Sequence, residues 1–191
     1  MKNNDSVIDD LIIYDGFYEN PERIREMALK LPFWVMGQFP GLRTEAVEGD
    51  LFYHLRDHLQ NIMGKKISQW EGGYNSAFQY SLSEDASWIH HDNNNGWAAV
   101  VYLNPEAPKS AGTCFYKHKR TGIIKHQENQ INFNDYVQDM EDWEEIERVD
   151  NVFNRAIIYR GNYYHRSAPE KFGINKWNGR LFQTFFFDTE D

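Results

Sequence analysis

Trp88-Ile89-His90-His91-Asp92 sets a histidine and a carboxylate two residues apart in a stretch that reads as a β-strand. Side chains on a strand alternate faces, so His90 and Asp92 point the same way. One more histidine would complete a two-histidine, one-carboxylate facial triad, the donor set that leaves positions open on a non-haem Fe(II) ion. His165, in Tyr163-Tyr164-His165-Arg166-Ser167, is the candidate. His91 is the rival to His90, but it adjoins Asp92 and faces the other side of a regular strand unless a bulge reverses it. His54, His58, His118 and His126 lack matching partners. His54 and His58 stand four apart on a predicted helix, without the glutamate of an HExxH arrangement between them.

The 191 residues are long enough to bury a sizeable core and are expected to form one domain, 1–191. A formal net charge of -9 argues against a broad nucleic-acid footprint and against an anionic membrane surface as partner. Cys114 stands alone, so neither an intrachain disulfide nor a cysteine zinc cluster is available. The polar opening Met1-Lys2-Asn3-Asn4-Asp5-Ser6 leads into no apolar run of signal-peptide or bilayer length, and a cytoplasmic protein is the expectation.

Outward from the histidine stretch the pattern is mainly β with flanking helices, an α+β arrangement. Val7 to Tyr14 predicts an early strand. Asn20-Pro21-Glu22-Arg23 supplies a cap, a first-turn proline and an acid at the positive end of a helix, whose apolar positions Ile24, Met27, Ala28 and Leu31 end before Pro32. A turn-rich loop, Gly37 to Thr44, precedes a second helix from about Glu48 to Met63. Helical support over about 18–65 is thus followed by a β core over about 70–187. The expected strands are Ser76 to Leu82, Ser87 to His91, Trp97 to Leu103, Gly112 to Tyr116, Ala156 to Arg160 and Arg180 to Phe187. Between them, about 117–150 reads as an inserted loop and short helix, its basic run Lys117-His118-Lys119-Arg120 and its later acidic stretch being two solvated faces.

His90 with Asp92, then His165, then Arg180 follow the order of the Fe(II)- and 2-oxoglutarate-dependent oxygenases: His-x-Asp, a distal His, and a basic residue on a following strand. Gly112-Thr113-Cys114-Phe115-Tyr116 resembles the small-residue strand those enzymes carry between the two ligand motifs. Asn154-Arg155-Ala156-Ile157-Ile158-Tyr159 resembles the strand that delivers the distal His. The resemblance covers roughly Ser76 to Phe187 and is nearest to the prolyl-hydroxylase-like branch, which includes many uncharacterised bacterial and phage proteins.

That resemblance implies a double-stranded β-helix (jelly roll) and a dioxygenase, usually a hydroxylase, with Fe(II) held by His90, Asp92 and His165. It implies 2-oxoglutarate as cosubstrate, its far carboxylate paired with Arg180, whose planar guanidinium can donate two parallel bonds. Thr184 shares the Arg180 face of its strand and could add a hydroxyl, and Tyr80 sits where relatives place a tyrosine against the cosubstrate. The interval from His165 to Arg180 exceeds the family's spacing of about ten residues, which makes Lys171 and Lys176 alternative anchors. Candidate substrate contacts are Asn93, Asn95 and Trp97, together with Tyr164, and the 117–150 insert is a candidate lid. The substrate would be a protein side chain, an amino acid or a small metabolite, with O2 as oxidant. Two other readings stay open: a cupin-like metal enzyme that does not use 2-oxoglutarate, and a non-catalytic β-sandwich binding module.

Overall fold

Asn20 accepts a hydrogen bond from the Arg23 amide and Pro21 opens the first helix, α1 (Pro21–Lys30), in the computed structural model, which describes residues 6–92, 96–128 and 139–190. A fixed proline φ and a missing N–H cost nothing in a first turn. The second helix, α2 (Asp50–Met63), stops at Gly64, whose φ of 65° is a left-handed cap. Both helices end within two residues of the expected limits.

The strands are β1 (Ile12–Asp15), β2 (Leu42–Arg43), β3 (Ile67–Gln69), β4 (Phe78–Ser81), β5 (Trp97–Tyr102), β6 (Thr113–His118), β7 (Trp143–Val149), β8 (Arg155–Arg160), β9 (His165–Ser167) and β10 (Arg180–Thr189). Seven of them form one sheet in the order β1-β8-β5-β10-β4-β2, with β3 also paired to β10, and the other three form a second sheet in the order β7-β6-β9. The pairings are antiparallel. The chain is therefore mostly β with two helices among the described residues.

Alternation divides the long strands between two cores. Leu181, Phe185 and Phe187 of β10 join Phe78, Val101 and Ile158 against Ala28, Leu55 and Leu59 of the helices. Phe182 of β10 joins Ala98, Val100, Tyr102, Ile157 and Tyr159 against Phe115 and Val149 of the second sheet. The large sheet is covered on both faces, which is why its strands read as near-continuous apolar runs. A third cluster, with Ile89, Cys114, Tyr116, Trp143 and Tyr164, lies on the far side of the small sheet.

Three expectations are corrected here. Trp143–Val149, assigned to the inserted loop and short helix, is strand β7 and pairs with β6 along its length; one turn of 3-10 helix, Met140–Asp142, precedes it. The first strand is limited to Ile12–Asp15. Ser87 to His91 is not a named strand: its regular pairing is a single bridge between His90 and His165. Residues 129–138 of the expected lid lie outside the described residues.

Gly112 shows how closely the second sheet is tied to the first. A Cβ there would lie 1.8 Å from the Val149 carbonyl oxygen. The Gly112 carbonyl also accepts from the Ala168 amide and from Arg180. Backbone, not a flexible side chain, blocks the added methyl, so Gly112→Ala is expected to destabilise the fold by about 3 kcal/mol or more. Denaturant unfolding checks this; an unchanged midpoint would contradict the packing at this junction.

Candidate active site

The backbone brings the distant histidines together before any side chain does. The His90 amide donates to the His165 carbonyl at 2.9 Å, and the His165 amide returns a bond to the His90 carbonyl at 2.8 Å. Such a reciprocal pair in an antiparallel arrangement puts both side chains on one face. His165 pairs on its other side with Phe115 of β6, so the 88–92 segment extends the small sheet beyond β9. Asp92, anchored by its amide to the Gly161 carbonyl at 2.7 Å, returns to the His90 face two residues on.

The donor atoms of His90, Asp92 and His165 all lie within 4.8 Å of one another. His90 Nδ1 is 3.0 Å from the Trp88 carbonyl oxygen and His165 Nδ1 is 2.8 Å from that of Tyr163. A carbonyl only accepts, so each Nδ1 carries the proton, and in the neutral ring each Nε2 is left with a lone pair. Those Nε2 atoms stand 4.0 Å from Asp92 Oδ1 and 3.6 Å from Asp92 Oδ2. Burial, reinforced by the neighbouring His90, lowers the His165 pKa to about 4 despite the opposing Asp92 charge, so this ring is neutral near pH 7. Among the described residues Asp92 Oδ2 is buried with no hydrogen-bond partner.

Two imidazole lone pairs and an orphaned carboxylate oxygen converging on one point repel each other unless something positive lies between them. The donor set thus fits a divalent cation, with the carbonyls of Trp88 and Tyr163 orienting the rings from behind. His91 is not part of this set: its ring stacks on His126 with centroids 4.0 Å apart and meets Tyr164 edge-on.

The three donors line a cavity of about 980 Å³ between the two sheets. Its floor is the inner face of the large sheet, including Ala98, Val100, Phe182 and Thr184. Arg180 opens into it, held by three bonds: Nε to the Ala111 carbonyl at 3.3 Å, Nη1 to Ser167 Oγ at 2.8 Å and Nη2 to the Gly112 carbonyl at 3.1 Å. Its guanidinium also packs 4.5 Å from the centroid of the Phe182 ring. Burial lowers the Arg180 pKa, opposed by the nearby Tyr102 and Tyr159 oxygens. Lys171 lines a smaller neighbouring pocket, and Lys176 donates to the Leu29 carbonyl on the helical side. The long His165 to Arg180 interval is absorbed by a turn over 173–179, where Asn178 accepts from the Ile174 and Asn175 amides.

Several expected site residues lie elsewhere. Tyr80 pairs with Leu181, not with a cavity-facing residue of β10, and its ring packs edge-on against Phe33 among the helices. Gln79, one position earlier, is the β4 residue that lines the cavity. Trp97 is buried in the helical core and donates to Thr189 Oγ1. Tyr164 faces away from His165 into the cluster around Trp143. Asn93 and Asn95 lie outside the described residues.

Arg43, unremarked in the sequence, also lines the cavity, as do Arg166 and Arg180. It projects from the two-residue strand β2, where the Gly37 to Thr44 loop gave only a turn signal.

Residues 6–187 match the model of a family of unknown function, DUF6445. The chain belongs to the DUF6445 family. No curated protein matches it. Among solved structures this DUF6445 chain is similar to HygX from Streptomyces hygroscopicus with nickel and 2-oxoglutarate bound, at 13% identity and a TM-score of 0.62, covering 93% of this chain and 82% of that one. HygX with nickel, 2-oxoglutarate and hygromycin B bound gives 0.60 over the same shares. A prolyl-4-hydroxylase from Pseudomonas putida gives 0.50 at 13% identity, covering 95% of this chain and 93% of that one. At such identities the likeness establishes a fold shared with these proteins.

Proposed function

We propose that the chain is an Fe(II)- and 2-oxoglutarate-dependent dioxygenase that hydroxylates a substrate C–H bond, its two sheets forming the faces of a double-stranded β-helix. The observation that carries this reading is the position of Arg180: a buried guanidinium in the same cavity as His90, Asp92 and His165. A metal enzyme without 2-oxoglutarate gives that buried charge no counter-ion. A binding module gives the converging lone pairs no cation. The 2-oxoglutarate and nickel held by HygX within the same fold support the reading.

In this site His90 and His165 would hold the metal through Nε2 and Asp92 through its carboxylate, a set suited to Fe(II) with positions left open. Arg180 would take the far carboxylate of 2-oxoglutarate, its fork fixed by Ala111, Gly112 and Ser167 before the ligand arrives. Thr184, whose Oγ1 lies 3.4 Å from the Ala77 carbonyl on the same strand face as Arg180, would present its hydroxyl to the same ligand. The apolar floor of Ala98, Val100 and Phe182 would exclude water from the reacting end. Bound Fe(II) supplies oxygen activation coupled to the oxidative decarboxylation of 2-oxoglutarate to succinate, and the protein positions the reactants.

Anaerobic addition of Fe(II) and 2-oxoglutarate is expected to give the visible charge-transfer absorption of the chelate, and admission of oxygen is expected to yield succinate. Absence of both would overturn the proposal.

A further inference from the structure

Of the other two arginines that line the cavity, Arg166 donates to Tyr116 Oη and Met140 Sδ, whereas Arg43 has its hydrogen-bonding end unspent among the described residues. Arg43 Nε donates to Gln79 Oε1 at 2.6 Å, and Gln79 is itself turned by donating Nε2 to the Pro40 carbonyl at 2.7 Å. The guanidinium carbon lies 3.9 Å from the centroid of the Phe39 ring, with Tyr74 at 5.5 Å and Phe186 at 5.7 Å. Gln79 therefore fixes the in-plane direction of the group and Phe39 covers a face. Among the described residues neither Nη makes a hydrogen bond or an ion pair. Asp92 is near enough for its charge to be felt at Arg43, yet the two form no direct pair, and Asp92 is committed to the triad. Burial lowers the Arg43 pKa to about 10, against the opposing pull of Asp92.

A planar fork held by its third nitrogen and stacked on an aromatic ring is the arrangement that receives a carboxylate through two parallel bonds. Arg180 already serves one carboxylate on the reading above. The cavity is far larger than a five-carbon cosubstrate needs and falls in the range of small-molecule sites. We propose that Arg43 is the recognition residue of a separate substrate subsite, and that the substrate is a small molecule bearing a free carboxylate. This rests on the dioxygenase reading for the word substrate, but the anion site itself does not require metal.

The test is calorimetric titration of the full chain with N-acetyl-L-phenylalanine, N-acetyl-L-leucine and 4-phenylbutyrate, each against its primary amide. It is run on metal-free protein and on protein saturated with Mn(II) and 2-oxoglutarate. At least one acid is expected to bind roughly tenfold or more tightly than its amide, as a charge-assisted pair requires. The preference should persist at saturating 2-oxoglutarate and vanish in Arg43→Gln, with 2-oxoglutarate affinity within about twofold of the parent. Arg43→Lys keeps the charge, loses the fork, and should retain only part of the preference; it decides the matter if the glutamine variant does not fold. Equal binding of acids and amides, no binding of any acid, or a preference that survives Arg43→Gln would overturn the assignment. A preference abolished by 2-oxoglutarate would also overturn it, placing the acid at Arg180. Binding confined to an N-acetylated tetrapeptide with a free C-terminus would refute a small-molecule occupant. Failure of Mn(II) and 2-oxoglutarate to bind would instead count against the dioxygenase reading, while the metal-free titrations still decide Arg43.

Discussion

Asp92→Ala is expected to remove stoichiometric binding of Fe(II) or Mn(II) and to abolish succinate formation, while the metal-free protein becomes no less stable. The loss of binding should exceed the roughly 10- to 100-fold typical of changes behind a ligand, because a donor itself is gone. The stability outcome follows from the orphaned Oδ2: buried, unbonded and facing two lone pairs, it contributes repulsion to the metal-free fold. Removing it relieves the unpaired charge and leaves the Asp92 amide bond to Gly161 intact. His90→Ala should lose metal in the same way, since its backbone bridge to His165 does not need the ring. Metal titration and thermal unfolding of the chelated protein check both halves. Retained metal and succinate in either variant would refute the triad.

The second large effect is at Arg180. Arg180→Lys is expected to raise the dissociation constant for 2-oxoglutarate about ten- to a hundredfold, the loss of a charge-assisted bidentate contact worth about 1.5 to 3 kcal/mol. Metal affinity without cosubstrate should be unchanged. Arg180→Ala should show a larger effect, complicated by the loss of its bonds to Ala111, Gly112 and Ser167, which tie β10 to the edge of the second sheet. Lysine keeps the charge, so it separates the fork from the charge. An unchanged 2-oxoglutarate requirement in both variants would mean that the far carboxylate lies elsewhere, with Arg43 the next candidate.

What could be read from sequence was what strand parity and motif order fix. His90, Asp92, His165, Arg180 and Thr184 share the cavity because each lies on the inward parity of its own segment. Tyr80 failed on the same rule: the register Phe182 with Gln79 and Leu181 with Tyr80 gives the cavity to the glutamine. Trp97 likewise occupies the outward parity of β5, and Tyr164, one residue before β9, faces away from His165. Register between strands distant in sequence is set by pairing partners, which one strand's own pattern does not contain. Strand β7 escaped notice because Glu144, Glu145 and Glu147 dominate its composition. A register shift opposite Phe115 and Tyr116 also breaks the alternation by which it would have been found. Arg43 was hidden in a turn-rich loop whose two-residue strand carries too few positions for any period to show.

The mutual amide bonds of His90 and His165 have a thermodynamic consequence. The two rings come into register only when the 88–92 segment has docked on β9, so an unfolded chain presents no comparable site. A cation that binds the folded form alone deepens the native well by mass action, adding about 1.4 kcal/mol for each tenfold excess of free ion over its dissociation constant. On the proposed dioxygenase reading the ion that serves turnover would also act as a folding ligand, and the concentration of available iron would set how much of the chain survives as well as how fast it works.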